Sequence, residues 1–489
     1  MQANRGQIAG WITIVALLLP SVAISRDETQ KRAPAKQTVL DAAASLDTQI
    51  DSMAHSLWEY AETGLEEHRS AELLARALEE EGFRVRRGVA NMPTAFVAEW
   101  GSGRPVVGVL AEYDALPELG NAPVAKQQPR ADGHPDGHGC GHNVFGAGSV
   151  GAAIALKRAA ELHALKGTIR LYGTPAEETL VGKVYMARDG LFDDLDVALD
   201  WHPVFLTKVN NESSMAMNNF AVEFFGRAAH GARPWLGRSA LDAVELMNQG
   251  VNLMREHIEP SARIHYVVTD AGQAPNVVPA YARVWYYVRD SDREKVERSY
   301  AWILDIAAGA AQATQTRHEV SLLTGVHSVL LNRPLQEAAQ ANLELVGPPI
   351  YSDAEQAFAR ELQKELGIEA KGISTRVEPL ADEPGPVGDG STDVAEVSRI
   401  APTVRITVAL GADELPWHSW AVSAMAGTPG AAKAGRVAAR VLALTGVDVL
   451  TDPDLLERAK ADFAEKTRDA PYRSPIPPGQ APPLPASQP

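Results

Sequence analysis

The chain has 489 residues, of which 45% are hydrophobic, so it can bury more than one core, and we expect two domains or one domain with a large insertion. Its formal net charge of -16 would repel phosphates, which argues against nucleic-acid binding. The single cysteine, Cys140, cannot form an intrachain disulfide. It is therefore either a buried, inert side chain or a thiol protected by binding a ligand.

The first 25 residues are predicted to form a secretory signal peptide. Arg5 precedes an uncharged, mostly apolar stretch from Ile8 to Ser25, and a charged stretch begins at Arg26. This arrangement predicts cleavage near Ser25 and export, either to a periplasm or out of the cell. The alternative is an uncleaved anchor, because 18 uncharged residues are close to the minimum for crossing a bilayer. No later stretch is long and apolar enough, so we expect no stable membrane span after cleavage.

Residues 38–211 alternate between helical and strand patterns, which predicts the first part of an α/β domain with a mostly parallel sheet flanked by helices. Helical spacing of apolar residues occurs at 38–62, 69–83 and 144–165, and β-rich apolar runs occur at 94–100, 105–117, 168–173 and 197–204. Residues 329–466 return to helical segments around the strand-like run 403–410, and are predicted to complete this domain.

Residues 212–328 have a different order of helix and strand patterns and are predicted to be an inserted domain. Their strand and helix patterns follow the order β-α-β-β-α-β, which is typical of a ferredoxin-like α+β unit. The last segment, residues 467–489, is rich in proline, and we expect an extended tail there.

Cys140 and His142 lie two residues apart in a glycine-rich loop that follows a strand-like run. Thiolate and imidazole are good ligands for zinc and similar divalent ions, and glycines let the backbone aim both side chains at one point. A Cys-Gly-His triplet alone is weak support for a metal site.

Three further polar groups follow predicted strands. Glu177 and Glu178 come after the run 168–173, His202 lies near the end of 197–204, and His418 follows 403–410. Ligand sites of open α/β sheets lie at the carboxyl ends of strands, so these groups are candidates for one site. Of two adjacent carboxylates, one could bind a metal and the other could act as a general base. The alternatives are that the glutamates are solvated in a loop and that the histidines are packed among other side chains, which is more common for each motif taken alone.

Several motifs occur together in one order along the chain: GCGHN, GTPAEE, DWHP, AAHGARPWLGRSALDAV, PNVVPAYARVWYYVR, GSTDVAEVS and WHSW. In this combination the sequence resembles the M20 family of metallopeptidases and amidohydrolases. The resemblance extends from about residue 45 to the PYRSPIP motif near the C-terminus.

The resemblance implies a site for two divalent metal ions, zinc or manganese, with Cys140 as the shared ligand. The other implied ligands are His142, Glu178, His202 and His418. Glu177 would be the general base that takes a proton from a metal-activated water.

The resemblance also implies that the inserted domain is a lid and a dimerisation surface. His230 would then reach the neighbouring subunit's site and stabilise the oxyanion, while Asn276 and Arg289 would hold the substrate carboxylate. The partner would be a second copy of the chain or a related subunit. From the sequence alone, the simpler interpretation is that Arg289 is a surface arginine on a strand and His230 is a histidine in a loop, neither with a role in a site.

The sequence departs from the wider family at EYDALP, where many members have His-x-Asp. Glu112 occupies the ligand position there, and Asp114 is expected at most to contact a ligand from behind. Of the histidines before Cys140, we expect His138 near the site without binding metal and His134 in solvent.

The implied reaction is hydrolysis of the amide bond of an N-acyl amino acid, with an aryl-amide of glutamate, such as p-aminobenzoyl-glutamate, as the first expectation. A dipeptidase, a carboxypeptidase or another N-acyl-amino-acid amidohydrolase remains an alternative, and a non-enzymatic binding protein of the same fold is less favoured. Trp201, Trp417 and Trp420 flank predicted ligands and are candidates for an aromatic pocket or, more commonly, for the core.

Two other enzyme classes are poorly supported. GAGSVG, residues 146–151, matches the glycine spacing of a dinucleotide-binding loop, but no apolar strand precedes it directly. A G-x-S-x-G elbow of a serine hydrolase is absent from the sequence.

Overall fold

A computed structural model describes residues 26–485, with side chains from Ala33 onward. The predicted signal peptide lies outside the described residues. The helices are α1 (Arg26–Ser45), α2 (Asp47–Tyr60), α3 (His68–Glu80), α4 (His142–Leu162), α5 (Gly182–Arg188), α6 (Ala240–Met254), α7 (Arg293–Thr314), α8 (Arg333–Val346), α9 (Asp353–Glu365), α10 (Val394–Ser398), α11 (Trp420–Ala426), α12 (Ala432–Thr451) and α13 (Pro453–Thr467). The strands are β1 (Arg84–Arg87), β2 (Phe96–Ser102), β3 (Val106–Ala111), β4 (Gly167–Gly173), β5 (Val197–Val204), β6 (Lys208–Val209), β7 (Ala216–Phe225), β8 (Arg263–Asp270), β9 (Tyr281–Asp290), β10 (Arg317–Val326) and β11 (Thr403–Ala409).

The larger sheet has seven strands in the order β1-β2-β4-β3-β5-β11-β6. Its centre, β4-β3-β5-β11, is parallel, whereas β1, β2 and β6 pair antiparallel at the two sides. Every residue of β3 is buried, as expected for a central strand covered on both faces. Helices α4 and α12 pack together on one face of the sheet. The predicted α/β class is confirmed, with antiparallel strands added at the edges.

The glycines of GAGSVG lie inside α4 and not in a loop. A Cβ atom on Gly148 would lie 2.9 Å from the Cα of Gly435 in α12. Gly148 therefore allows the close approach of two helices, and Cβ atoms on Gly146 and Gly151 would lie at least as close to Glu112 O and to Ile50, respectively, which explains the motif by packing.

The smaller sheet has four antiparallel strands in the order β10-β7-β9-β8 and, with α6 and α7, forms the inserted domain, which we call the lid after its predicted role. The chain order β7-α6-β8-β9-α7-β10 and this strand order match a ferredoxin-like unit, as predicted. Phe220, Val284 and Tyr286 lie in its separate hydrophobic core. All of these elements fall within the predicted insertion, residues 212–328.

The segment after α13, which we call the C-terminal segment (residues 468–485), contains no helix or strand, yet it packs against the molecule. Ile476 is buried in a core cluster that includes Met217 of the lid. The side-chain amide of Gln480 donates to Leu322 O in the lid at 2.7 Å and to Tyr185 Oη in α5 at 2.9 Å. The segment therefore contacts both domains.

Within residues 26–485, no helix has both the length and the apolar character that a bilayer crossing requires.

Candidate active site

The predicted ligands meet at the carboxyl edge of the parallel centre of the larger sheet. Glu177 and Glu178 follow β4, His202 lies near the end of β5, and His418 follows β11. Cys140 precedes α4, in the connection from β3. Because β4, β3, β5 and β11 run parallel, their carboxyl ends share one edge, which is where open α/β sheets place ligands.

The loop before α4 has the tight geometry that its glycines suggest. Gly141 has φ 76°, in the left-handed region, and a Cβ atom there would lie 2.9 Å from Pro203 Cγ. The backbone N–H of His418 donates to Gly139 O at 3.0 Å. This bond fixes the distant His418 loop beside the Cys140 loop.

Two groups of possible metal ligands share one sulfur. Cys140, His142 and His202 form the first group, and Cys140, Glu178 and His418 form the second; the ligand atoms within each group lie within 4.8 Å of one another. Cys140 Sγ lies 3.5 Å from His202 Nε2, and His418 Nε2 lies 3.3 Å from Glu178 Oε2. Thiolate, imidazole and carboxylate are all ligands that zinc and similar ions accept. This donor set fits two cations that share the thiolate.

The imidazoles of the first group are oriented by contacts from behind. His142 Nδ1 lies 2.8 Å from Asp114 Oδ1, and His202 Nδ1 lies 2.8 Å from Pro203 O. A donor hydrogen on each Nδ1 leaves Nε2 as the free lone pair. His142 Nε2 is buried and has no hydrogen-bond partner among the described residues. Asp114 also accepts the Glu178 N–H at 2.9 Å, so it positions residues of both groups.

A layer of buried charges lies behind the ligands. Lys183 Nζ is 2.7 Å from both Glu112 Oε1 and Asp393 Oδ1, and Arg405 Nε donates to Asp200. Glu112 Oε2 is buried without a hydrogen-bond partner among the described residues, 3.3 Å from His142 Nε2.

Carboxyl groups outnumber the cations of this cluster. Among the described residues, Lys183 and Arg405 pair with the carboxyl groups of Glu112, Asp200 and Asp393, whereas those of Asp114, Glu177 and Glu178 lie near His142. Uncompensated buried charge is expensive, so a site of this composition is suited to additional positive charge, such as divalent ions would supply.

Burial is the largest cause of the pKa shifts of Glu177, Cys140 and His202. Burial raises the pKa of Glu177 well above its ordinary value, and the charges of Glu112 and Asp393 raise it further. Burial also raises the pKa of the Cys140 thiol, while it lowers that of His202 to about 3, assisted by the charge of Arg405. Nearby cations would favour the ionised carboxylate and thiolate, and a neutral His202 is the form that binds a metal.

The two groups open onto a cleft of about 520 Å³ between the domains. Cys140, Glu177 and His418 line one part of it, and Tyr287 and Arg289 of the lid line another. His418 is the most accessible of the predicted ligands, with 55% of its side chain exposed. Arg289 is thus the one predicted carboxylate-binding residue that lines the cleft of its own chain.

His230 and Asn276 lie elsewhere on the lid. Both are exposed, and the two loops that carry them are joined by the hydrogen bond from Gly231 N to Asn276 O at 2.7 Å. Neither residue lines the cleft of the same chain. Their predicted roles, including the crossing of His230 to a neighbouring subunit, remain predictions.

The remaining aromatic and histidine candidates have different positions. Trp201 is fully buried and donates to Ser149 Oγ at 3.1 Å, so it belongs to the core. Trp417 packs edge-on to His202, and Trp420 packs against the main core. His138 is buried with Nε2 3.0 Å from Leu57 O and joins neither ligand group, whereas His134 is partly exposed.

Lys183, Asp393 and Arg405 were not among the residues predicted from the sequence. Lys183 and Arg405 each stand in an otherwise apolar run, VGKVYMA and TVRITVA, and such a lone charge indicates a buried ion pair. Its partners could not be identified, because they lie far away in the sequence.

Comparisons with known proteins identify the group to which this architecture belongs. The sequence model of Peptidase family M20/M25/M40 matches residues 108–413. The chain is 38% identical over 465 residues to one of the subunits of p-aminobenzoyl-glutamate hydrolase of Escherichia coli (strain K12), covering 90% of this chain and 97% of that protein. It is 29% identical to the Xaa-Arg dipeptidase of Mus musculus, covering 86% and 90%.

Solved structures share the fold. The aminobenzoyl-glutamate utilization protein from Klebsiella pneumoniae superposes with a TM-score of 0.58 at 19% identity, covering 83% of this chain and 97% of that one. The YXEP protein of Bacillus subtilis, a dinuclear metal binding peptidase from the M20 family, superposes with a TM-score of 0.54 at 20% identity, covering 83% and 99%. The resemblance stated from the sequence motifs is confirmed.

Proposed function

Because the chain belongs to peptidase family M20/M25/M40 and is a hydrolase of that family, we propose that it hydrolyses p-aminobenzoyl-glutamate or a similar aryl-amide of glutamate. The observation that carries the proposal is the pair of ligand groups that share Cys140, beside Glu177, in one cleft with Arg289. The name of the 38% identical relative supports this choice of acyl and amino-acid parts.

We assign two divalent ions, zinc or manganese, to the two ligand groups. When bound, such ions polarise an amide carbonyl and acidify a water molecule. Cys140, His142 and His202 would hold one ion, and Cys140, Glu178 and His418 the other. Asp114 keeps the His142 ring oriented through the hydrogen bond to Nδ1.

The chain's own residues then handle protons and substrate charge. Glu177 accepts a proton from the attacking water and passes it to the departing amine, which is the task of a general base and acid. Arg289 binds the substrate carboxylate, and Asn276, which lies beside the His230 loop and outside this cleft, would assist from a neighbouring subunit. His230 of a neighbouring subunit donates to the oxygen that becomes negatively charged during attack.

We further propose that the chain works as a homodimer or with a related subunit, joined through the lid. Strand β8 is an unpaired edge of the lid sheet, and Val267 and Val268 on it are exposed. Two Escherichia coli relatives are named as different subunits of p-aminobenzoyl-glutamate hydrolase, and the chain is 28% identical to the second of them. Export to the periplasm or beyond is proposed from the composition of residues 1–25.

The test is hydrolysis by metal-free protein that has been reloaded with zinc, manganese or cobalt. The substrates are p-aminobenzoyl-glutamate, other N-acyl amino acids and dipeptides, each paired with an analogue whose α-carboxylate is amidated. We expect metal-dependent release of p-aminobenzoate and little activity on the amidated analogues. No hydrolysis of any amide, with two ions bound per chain, would refute the proposal.

A dipeptidase remains the second candidate because the chain is 29% identical to the mouse Xaa-Arg dipeptidase over most of its length. Faster hydrolysis of dipeptides than of p-aminobenzoyl-glutamate in the same assay would favour it.

A further inference from the structure

Two arginines from different domains line the cleft. Arg289 lies on β9 of the lid, and Arg405 lies on β11 of the larger sheet. They are the only lysine or arginine residues among the described residues that line it. The proposed substrate has two carboxylates, one on the α-carbon and one on the glutamate side chain, and Arg289 accounts for one of them.

The guanidinium of Arg405 has unused donors. Its Nε donates to Asp200, whereas Nη2 is buried 3.8 Å from Glu112 Oε1, too far for a hydrogen bond, and has no other hydrogen-bond partner among the described residues. The side chain is 15% exposed, so part of it reaches the cleft. Asp200 therefore holds the Nε edge of the guanidinium, and Arg405 still lines the cleft with the exposed part of its side chain.

Arg405 lies close to the predicted metal ligands at the carboxyl edge of the larger sheet. On β11, Arg405 pairs with Asp200 of β5, and Thr407 pairs with His202 of β5. Arg405 therefore lies two residues before the position on β11 that is opposite the predicted ligand His202. Two residues along a strand span about 7 Å. A group attached to the amino-acid part of a substrate at the ligands is therefore within the reach of this side chain.

Arg289 also has an unused donor. Its guanidinium lies 5.6 Å from the centre of the Tyr287 ring, and Nε is buried without a hydrogen-bond partner among the described residues. Burial lowers the pKa of Arg289 below its ordinary value, which is the sign of a cation without a paired anion. Guanidinium groups in this state are suited to carboxylates.

We propose that Arg405 binds the side-chain carboxylate of the substrate's glutamate, while Arg289 binds the α-carboxylate. The proposal rests on the hydrolase function above and adds that the cleft selects acidic amino acids. Arg405 is thus a specificity-determining residue.

The competing explanation is that Arg405 only balances the buried carboxylates of Asp200 and Glu112. The two explanations differ in what they predict for substrates. A balancing role affects every substrate equally, whereas a binding role affects only substrates with a negatively charged side chain.

The experiment compares p-aminobenzoyl-glutamate with p-aminobenzoyl-glutamine, which has the same shape without the side-chain charge. We expect the wild-type protein to favour the glutamate compound by about 10- to 100-fold in kcat/KM, the value of one or two hydrogen bonds to a charged group. Arg405→Lys keeps a charge beside Asp200, and the double variant Arg405→Gln with Asp200→Asn removes both members of the pair. Both should lose most of this preference and retain hydrolysis of the glutamine compound.

Controls separate binding from folding and metal loading. Metal content and thermal unfolding are measured for every variant, and Arg376→Gln, an exposed arginine outside the cleft, is the matched control. As a readout independent of turnover, glutamate should raise the midpoint of thermal unfolding of wild type more than glutamine does. This difference should disappear in Arg405→Lys.

Equal losses for both substrates would overturn the proposal and assign Arg405 to charge balance. A wild-type protein that cleaves glutamate and glutamine compounds equally well would also overturn it, while leaving the hydrolase function intact. Failure to cleave any amide would overturn the hydrolase function and this proposal together.

Discussion

The carboxyl edge of the larger sheet and the exposed end of the lid both carry residues of the proposed site, but they differ in packing. At the sheet edge, His142, Asp114 and Glu112 are fully buried and held by side chains from several elements. At the lid, His230 and Asn276 are exposed, and the two loops that carry them contact each other.

This difference indicates which residues of the proposed site a single chain holds in place. Buried ligands fixed by contacts from behind are preorganised, so they require little rearrangement when ions bind. The exposed lid residues lack such contacts, as expected if the proposed second subunit completes their part of the site. Changes at the sheet edge should therefore act through metal binding and proton transfer, and changes at the lid through the partner.

The largest effect is expected at Glu177. Glu177→Gln keeps the size of the side chain and removes the base, so kcat should fall by about 10²- to 10⁴-fold with metal content unchanged. Glu212→Gln is the control, because Glu212 lines the same cleft but pairs with Lys208. Loss of metal together with activity would instead assign Glu177 to ion binding.

The next effect is expected at His230. His230→Ala should lower kcat by about 10²- to 10³-fold, the value of one donor to the oxyanion. His257→Ala, another exposed lid histidine, should have no such effect. Mixing the inactive His230→Ala and Glu177→Gln proteins, after subunit exchange, should restore about a quarter of wild-type activity if His230 serves the neighbouring subunit of a symmetric dimer. No recovery in mixed dimers would place His230 outside the partner's site.

A smaller effect is expected at Asp114. Asp114→Asn weakens the hold on His142 Nδ1, so metal affinity should fall by about 10- to 100-fold in a chelator competition. Asp136→Asn is the control, because it makes the same change at a partly exposed aspartate whose Oδ1 accepts the Glu118 N–H. Unchanged affinity would show that the sheet edge holds its histidine without this contact.

The smallest effect concerns Glu67, which supports the loop of Glu177. Its carboxylate accepts the Ala176 N–H at 2.8 Å, and burial, together with the charge of Asp114, raises its pKa from 4.5 to about 8. Because the folded-state pKa lies above the unfolded one, this group favours folding most at low pH, and that contribution is lost as the pH rises through 8.

Glu67→Gln removes this titration. Its free energy of unfolding, measured with denaturant, should decline less than that of wild type between pH 4.5 and about 8. Parallel pH curves for the two proteins would contradict the raised pKa.

The α/β class and the ferredoxin-like lid could be predicted because their apolar patterns are local. The antiparallel edges could not, since β1 and β6 have only four and two residues, and β11, the partner of β6, lies far along the chain. The predicted ligands Cys140 and His418 were found through family motifs, and their proximity required the parallel strand order. The lone charges of Lys183 and Arg405 could be seen in the sequence, but their partners could not.

The attachment of the lid has a mechanical consequence. Besides the two chain crossings around residues 210–215 and 327–332, the C-terminal segment ties the lid to α5 through Gln480 and the buried Ile476. A rotation that widens the cleft must break these hydrogen bonds or expose Ile476 to water. Opening therefore has an energetic cost beyond that of bending two linkers, and shortening the chain before residue 476 should make the angle between the domains more variable in solution.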